Sequence, residues 1–453
     1  MHFALFMSLF GSHLAGWRHP LADAAHPFDL ARYTALAAQA EAAKLDLLFI
    51  ADKLAIDDIH GGDFDAAVAH RPLIHPEPLT LLSMLCGVTT RIGLGATIST
   101  TYFEPYHAAR MMGSIDHYSG GRAAWNAVTS VNDGEARNFS RTEHLGHADR
   151  YERAAEFIDV MRKLWDSWDE DAIIADKAQG RYADPAKIRY VDHDGKWLQV
   201  KGPLGLTRPP QGRPVLIQAG VSGPFQALAA RNAEVIFPVQ STLEKAKAFY
   251  KDFKAQVVAA GRAPDAVKIL PGLVPIIAQS DGAAQDLAGE LDSLILPITG
   301  LSFMSGSMNY DLSAHPIDDP VPDIRDRIRG SKGRFDVIIA DAIERGLTLG
   351  ELGRQYAKGL GFAKFVGSPA TVADRIEQWV EESGADGFTI MPPFVPAGPE
   401  PFMAFVVPEL QRRGLFRRDY AGTTLREHLG LAKPSNRFAS DRSRRVERPA
   451  LVD

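Results

Sequence analysis

A TIM (β/α)8 barrel with insertion segments is the fold class this sequence predicts, and three observations carry that reading. Short apolar runs alternate with stretches of helical periodicity along most of the chain. Strictly alternating strand and helix specifies a parallel sheet, because parallel strands need a crossover connection between them. The apolar runs number eight, the number at which a parallel sheet closes into this barrel. An open doubly wound sheet is the structural alternative.

The strands are read in order at HFALFM (2–7), LDLLFIAD (45–52), IGLGATIST (92–100), RAAWNAVT (122–129), PVLIQAG (214–220), EVIFP (234–238), KILPGLVPII (268–277) and GFTIMP (387–392). Between them, FDLARYTALAAQAEAA, EPLTLLSMLCGV, YERAAEFIDVMRKLW, GPFQALAARN, TLEKAKAFYKDFKAQVVAA and PATVADRIEQWVEE place apolar residues at helical spacing. A further helix begins at Pro105, where a missing N–H is harmless, and ends at Gly120-Gly121 before the fourth strand. The opening MHFALFMSLFGSHLAGW has no basic start and no small-residue cleavage site, so it reads as strand and loop rather than a secretory signal.

A bare barrel takes about 250 residues, and this chain has 453. The excess is assigned to insertions near 166–213 and 294–345 within one domain spanning 1–432, followed by a polar, basic-leaning tail at 433–453. Long loops between barrel elements are commonly lids over a site.

Composition narrows the function. With 45% hydrophobic and 23% charged residues and a net charge of -6, the chain has a large core and no pull toward nucleic acid or anionic lipid. No apolar run approaches the roughly 20 residues of a membrane span. Cys86 is the single cysteine, which excludes an internal disulfide and fits a reducing cytoplasm. There is no HExxH, no pair of closely spaced metal carboxylates and no lysine in an apolar strand, so no metal and no Schiff base are expected. Nor does a G-x-G-x-x-G follow a strand, so a redox cofactor would be a mononucleotide rather than a dinucleotide.

Function in a parallel barrel gathers at the carboxyl ends of the strands. His13, Asp52, Thr97, Asn126 and the turn Gly220–Gly223 fall there. Asn126 shares a strand face with Ala124 and Val128, and a buried amide needs partners. Those partners are either neighbouring backbone or a ligand's polar edge. In QAGVSGPFQALAA, strand, glycine turn and helix start suit a phosphate, though Ser222 also reads as a plain N-cap.

TTYFEPYHAARMMGSIDHYSGGRAAWNAVTS (100–130) closely resembles the signature of the flavin-dependent monooxygenases grouped with nitrilotriacetate monooxygenase component A, dibenzothiophene-sulfone monooxygenase and long-chain alkane monooxygenase, in the bacterial-luciferase-like superfamily. LLFIADKL, HPEPLTLLSML, IGLGATIST, RYERAAEFIDVMRKLWDSW, KGPLGLTRPPQGRPVLIQAG and VADRIEQWVEESGADGFTIMPPFVP extend the resemblance in order from about residue 2 to 433. It implies an oxygenase that uses reduced FMN (FMNH2) as co-substrate, delivered by a separate NAD(P)H:FMN reductase, to transfer one oxygen atom from O2 to a small molecule. It also implies a homodimer or homotetramer. A deazaflavin (F420)-type dehydrogenase of the same superfamily and a non-catalytic flavin-binding protein are the alternatives.

Carried over residue by residue, the resemblance implies Asp52 and Thr97 near the isoalloxazine, Asn126 on its polar edge and Val128 against the ring. It further implies Arg150, Tyr151, Val221 and Ser222 at the ribityl phosphate. His13 is the candidate catalytic acid or base, since an imidazole titrates near neutrality. Other relatives carry a histidine just after WN-x-V, and Thr129-Ser130-Val131-Asn132 has none. His315 is a second, substrate-side candidate, while Trp125 and Met111-Met112 read as packing. The apolar ILPITGLSFMSGSMNY (295–310) leans toward a hydrophobic or heterocyclic organosulfur substrate. Amine-type polycarboxylates, which relatives also oxidise, would need a cationic pocket, and no local Arg or Lys cluster stands out.

Overall fold

The computed structural model describes residues 1–220 and 223–438. In chain order its strands are β1 (His2–Phe6), β2 (Leu47–Ile50), β3 (Gly93–Ser99), β4 (Ala123–Val128), β5 (Ile173–Asp176), β6 (Arg181–Ala183), β7 (His193–Asp194), β8 (Gln199–Val200), β9 (Val215–Gln218), β10 (Val235–Ile236), β11 (Lys268–Ile269), β12 (Gly272–Ile277), β13 (Ala363–Gly367) and β14 (Gly387–Ile390). Ten of them form one curled sheet in the order β11-β10-β9-β4-β3-β2-β1-β14-β12-β13. Every pairing in it is parallel.

All eight anticipated runs carry strand, with two departures. The run 268–277 is split, because Pro271 has no N–H to give to a ladder. Its first half bonds β10, through the Leu270 N–H to the Ile236 carbonyl at 2.9 Å, and its second half faces β14, whose Thr389 N–H reaches the Pro271 carbonyl at 3.0 Å. The second departure is β13, a short strand that pairs with β12 and was not anticipated. Its alternating burial and the charged Lys364 give too weak an apolar pattern over five residues.

The interior of the curl is filled by Ala4, Leu47, Phe49, Ala124, Val215, Ile217 and Val235. Gly95 leaves the room they need, since a Cβ there would sit 3.2 Å from Leu47 Cδ1 and 3.4 Å from Ile217 Cδ1. Leu425, Leu429 and Leu431, near the carboxyl end of the described chain, join this cluster and close the amino-terminal mouth of the sheet. Trp125, Phe157, Met112 and Trp165 belong to the larger core between the sheet and its outer helices, so Trp125 and Met112 are packing residues.

Two small antiparallel hairpins, β5–β6 and β7–β8, lie within residues 166–213. The helices Pro297–Met308, Lys332–Glu344 and Leu349–Ala357 build a separate small core around Met304, Phe335, Ile339, Leu352 and Tyr356. Among the described residues no single helix is long and apolar enough to cross a membrane.

Candidate active site

Because the sheet strands are parallel, their carboxyl ends open on one face, and a cavity of about 600 Å3 lies there. Its wall includes His13, Asp52, Asn126, Val128, Arg150 and Tyr151. The structure therefore brings together six of the nine site residues expected from sequence. Thr97 stands behind the wall, and Val221 and Ser222 lie outside the described residues.

Asn126 sits in register between Thr97 of β3 and Ile217 of β9. Its Nδ2 donates to Thr97 Oγ1 at 3.1 Å, which fixes the amide plane. Its Oδ1 is buried and accepts nothing among the described residues. Of the two partners open to this amide, neighbouring backbone is therefore not the one found. Gln218, at the end of β9, also lines the cavity and also buries an Oε1 without a partner among the described residues. A buried acceptor left unmatched costs about 1–3 kcal/mol, so two on one wall call for an occupant with N–H or O–H groups. Sequence reading passed over Gln218; its position as the last strand residue before Ala-Gly was the available signal.

Asp52 follows β2 and takes the Lys53 N–H at 2.8 Å. The Lys53 ammonium turns instead to Asp57, so Asp52 has no cationic partner among the described residues. Burial, reinforced by Glu77 and Glu135, pushes its carboxyl up to about 6 despite that N–H.

Arg150 is 2% exposed. Its Nη1 donates to the Ser130 carbonyl at 2.6 Å, while its buried Nε finds no acceptor among the described residues. It stands with Tyr151 and Gly220 on the wall just ahead of the helix Gly223–Asn232. A guanidinium beside a helix start is a natural place for a phosphate.

His13 is 1% exposed. Its Nε2 lies 3.3 Å from Asp292 Oδ1, and its Nδ1 has no partner. Desolvation lowers the imidazole below its ordinary range, so the ring is neutral at pH 7. Asp292 is held down to about 2 against its own burial by hydrogen bonds from His13 and Lys358 and the charge of Lys364. An ionised carboxylate only accepts, so His13 carries its proton on Nε2 and keeps a lone pair at Nδ1. Asp292 lies 279 residues away in sequence and carried no local signal.

Two expectations need correction or relocation. His315 bonds Tyr310 Oη at 2.8 Å and is not part of the cavity wall. The absence of a cationic cluster does not hold: Lys332 and Arg334, from the run RDRIRGSKGR (325–334), both line the cavity, together with Lys53 and Arg71. The apolar stretch before that run dominated the reading of the second insertion, and spatial convergence with Lys53 and Arg71 has no sequence signature.

Comparison with known proteins gives a consistent result. Residues 7–387 match the family described as Luciferase-like monooxygenase. The chain is 46% identical over 438 residues to N-acetyl-S-(2-succino)cysteine monooxygenase of Bacillus subtilis (strain 168), covering 96% of this chain and 97% of that protein. It is 44% identical over 444 residues to Nitrilotriacetate monooxygenase component A of Aminobacter aminovorans, covering 97% and 98% respectively. Among solved structures, that of riboflavin lyase with modified FMN and substrate riboflavin superposes with a TM-score of 0.87 at 31% identity, over 96% of each chain.

Proposed function

Since this chain belongs to the luciferase-like monooxygenase family and is a monooxygenase, we propose that it is the oxygenase half of a two-component system. In this reading reduced FMN arrives from a separate NAD(P)H:FMN reductase. The observation that carries it is the pair of buried, unmatched acceptors Asn126 Oδ1 and Gln218 Oε1 in a cavity that also holds Arg150. A reduced flavin offers N–H donors and an FMN phosphate wants a guanidinium, so the residues present fit the group. The name of the Aminobacter relative, component A, supports a partner protein, and the modified FMN in the riboflavin lyase structure supports the cofactor class.

Asn126, Gln218, Asp52 and Val128 would hold the ring system, with Thr97 fixing Asn126 from behind. Arg150 and Tyr151, with Val221 and Ser222, would hold the phosphate. When bound, reduced FMN supplies the two electrons that activate O2, one oxygen atom going to the substrate and the other leaving as water. This chain's own work is then to orient, to exclude water and to manage protons. His13, neutral with a lone pair at Nδ1, accepts a proton or hydrogen bond at that atom while Asp292 keeps the tautomer fixed. Asp52, near 6, can hold a proton close to neutral pH.

The same reading takes the curled sheet as a closed (β/α)8 barrel of one domain, 1–432, with insertions near 166–213 and 294–345. The pairing of the run 268–277 with both β10 and β14 supports closure. A cytoplasmic homodimer or homotetramer acting on a small organic molecule belongs to the same proposal. Anaerobic equilibrium dialysis against reduced FMN, oxidised FMN and deazaflavin, followed by reductase-coupled turnover under labelled dioxygen, tests it. Selective binding of reduced FMN and label in an organic product are expected. Preference for deazaflavin, or turnover without label incorporation, would overturn it.

A further inference from the structure

Part of the cavity wall has no task in the reading above. Arg334, in the first turn of the helix Lys332–Glu344, lines the cavity half-buried. Its Nη2 donates to the Leu360 carbonyl, its Nε is buried without an acceptor, and no carboxylate pairs with it among the described residues. The guanidinium lies over the rings of Phe335, Tyr356 and Phe362 at 5.6, 5.3 and 5.5 Å, a setting that holds its plane but supplies no counter-charge.

The backbone adds to this. The N–H groups of Gly333 and Arg334 donate to nothing among the described residues, and the N-cap Ser331 makes no side-chain cap bond. Free first-turn N–H groups carry positive partial charge, and the Lys332 side chain stands on the same turn, although its ammonium already donates to the Arg325 carbonyl and lies 3.2 Å from Asp336. Elsewhere on the wall, Lys53 and Arg71 share the single carboxylate of Asp57, so that cluster keeps a surplus positive charge. The two cationic groups are linked through aromatic contacts: Arg71 lies 4.8 Å from the Phe303 ring, which is 5.7 Å from Tyr356, beneath Arg334.

The carboxylates on the wall are Asp52 and Glu135. Glu135 is already engaged by the N–H groups of Val131 and Asn132, at 3.1 and 3.2 Å. An apolar occupant would strip water from Arg334 and leave its Nε unmatched, whereas an anion would satisfy it. Ser12 Oγ and His13 Nδ1, both buried and unpartnered on the same wall, add further polar contacts.

We infer that this part of the cavity is the substrate pocket, and that it takes a small organic acid bearing at least two carboxylates. One carboxylate meets Arg334 and the first turn of Lys332–Glu344; the other meets Lys53 and Arg71. The inference rests on the monooxygenase reading for the fate of the substrate but not for its binding.

Citrate and its triethyl ester make a matched probe pair, titrated calorimetrically into the full chain with and without anaerobically bound reduced FMN. Citrate binding that weakens with salt, with no binding of the ester, is expected. Arg334→Met should weaken citrate at least about tenfold, and the exposed Lys332→Glu about threefold, while reduced FMN affinity stays within a factor of about two. Should Arg334→Met fail to fold, Lys332→Glu alone decides. Equal binding of acid and ester, or no citrate binding at about 10 mM, would overturn the inference. Joint loss of citrate and reduced FMN in Arg334→Met would also overturn it, by assigning these cations to the cofactor phosphate. Failure of the wild type to bind reduced FMN, with citrate binding intact, would instead remove the monooxygenase reading and leave the acid pocket standing.

Discussion

The two ends of the curled sheet bury carboxylate and amide oxygens in opposite ways. At the amino end, Asp46, fully buried, receives the Phe3 N–H at 2.7 Å, His2 Nδ1 at 3.0 Å and the Arg417 guanidinium. Asp116 receives the Gln211 amide at 2.6 Å and the Ala123 N–H at 3.0 Å, and Glu234 receives Arg426 Nη1 at 2.6 Å and the Leu216 N–H at 3.0 Å. At the carboxyl end, Asn126 Oδ1, Gln218 Oε1, His13 Nδ1 and Ser12 Oγ have no partner among the described residues, and Asp52 has no cation there. The same chain that satisfies the buried Asp46 and Asp116 and the partly buried Glu234 at one end leaves a set of acceptors open at the other. Partners missing from the protein must come from what it binds.

The largest expected effect lies at the satisfied end. Arg417→Met leaves the Asp46 carboxylate buried with one cationic neighbour fewer, and should destabilise the fold by about 3 kcal/mol, read by denaturant unfolding. Reduced FMN affinity, measured below the transition, should not move. Asn126→Leu should do the reverse. It removes an unmatched acceptor together with one hydrogen bond, so stability should shift by less than about 1 kcal/mol, while reduced FMN binding weakens by about 2 kcal/mol, close to thirtyfold. If both variants lose stability and neither loses cofactor, the contrast between the ends is wrong.

Only the open end was visible in the sequence. Short apolar runs capped by glycine or proline give strands at predictable places, and the alternation within RAAWNAVT put Asn126 on the inner face with Ala124. Periodicity could not supply the break at Pro271 or the half-polar β13, because both depend on which neighbour each residue pairs with. Residues that act through distance were equally silent. Asp292 reaches His13 only once helix Asp281–Ser293 packs near the first loop. Lys332 and Arg334 join Lys53 and Arg71 only across the folded cavity.

A smaller effect tests whether the open end is tuned as well as open. Asp292→Asn places an amide that can donate to His13 Nε2, removing the constraint that leaves Nδ1 free. Turnover should fall about tenfold, with its dependence on pH displaced and reduced FMN affinity intact. A uniform loss at every pH would mean that Asp292 serves only its ion pairs with Lys358 and Lys364.

The smallest effect is the one that most sharply separates the two ends. A carboxyl titrates near 3.9 in an unfolded chain, and Asp52 is raised to about 6 in the fold. Above pH 6 it is ionised in both states and the fold bears the full penalty of a poorly solvated charge; below about pH 4 it is neutral in both and the penalty is gone. Asp52→Asn should therefore stabilise the ligand-free protein at pH 8, by about 1 kcal/mol once partial exposure is discounted, and should make no difference at pH 4. Asp46 must behave in the opposite sense, since its partners hold its carboxyl below the ordinary range despite burial, so its stabilisation is lost as pH falls. Thermal unfolding of Asp52→Asn and Asp46→Asn, each against the parent across pH 4–8, would show differences that run in opposite directions. Parallel curves would mean that Asp52 is a paired, structural carboxylate like Asp46, and that the open end is not prepared for a proton.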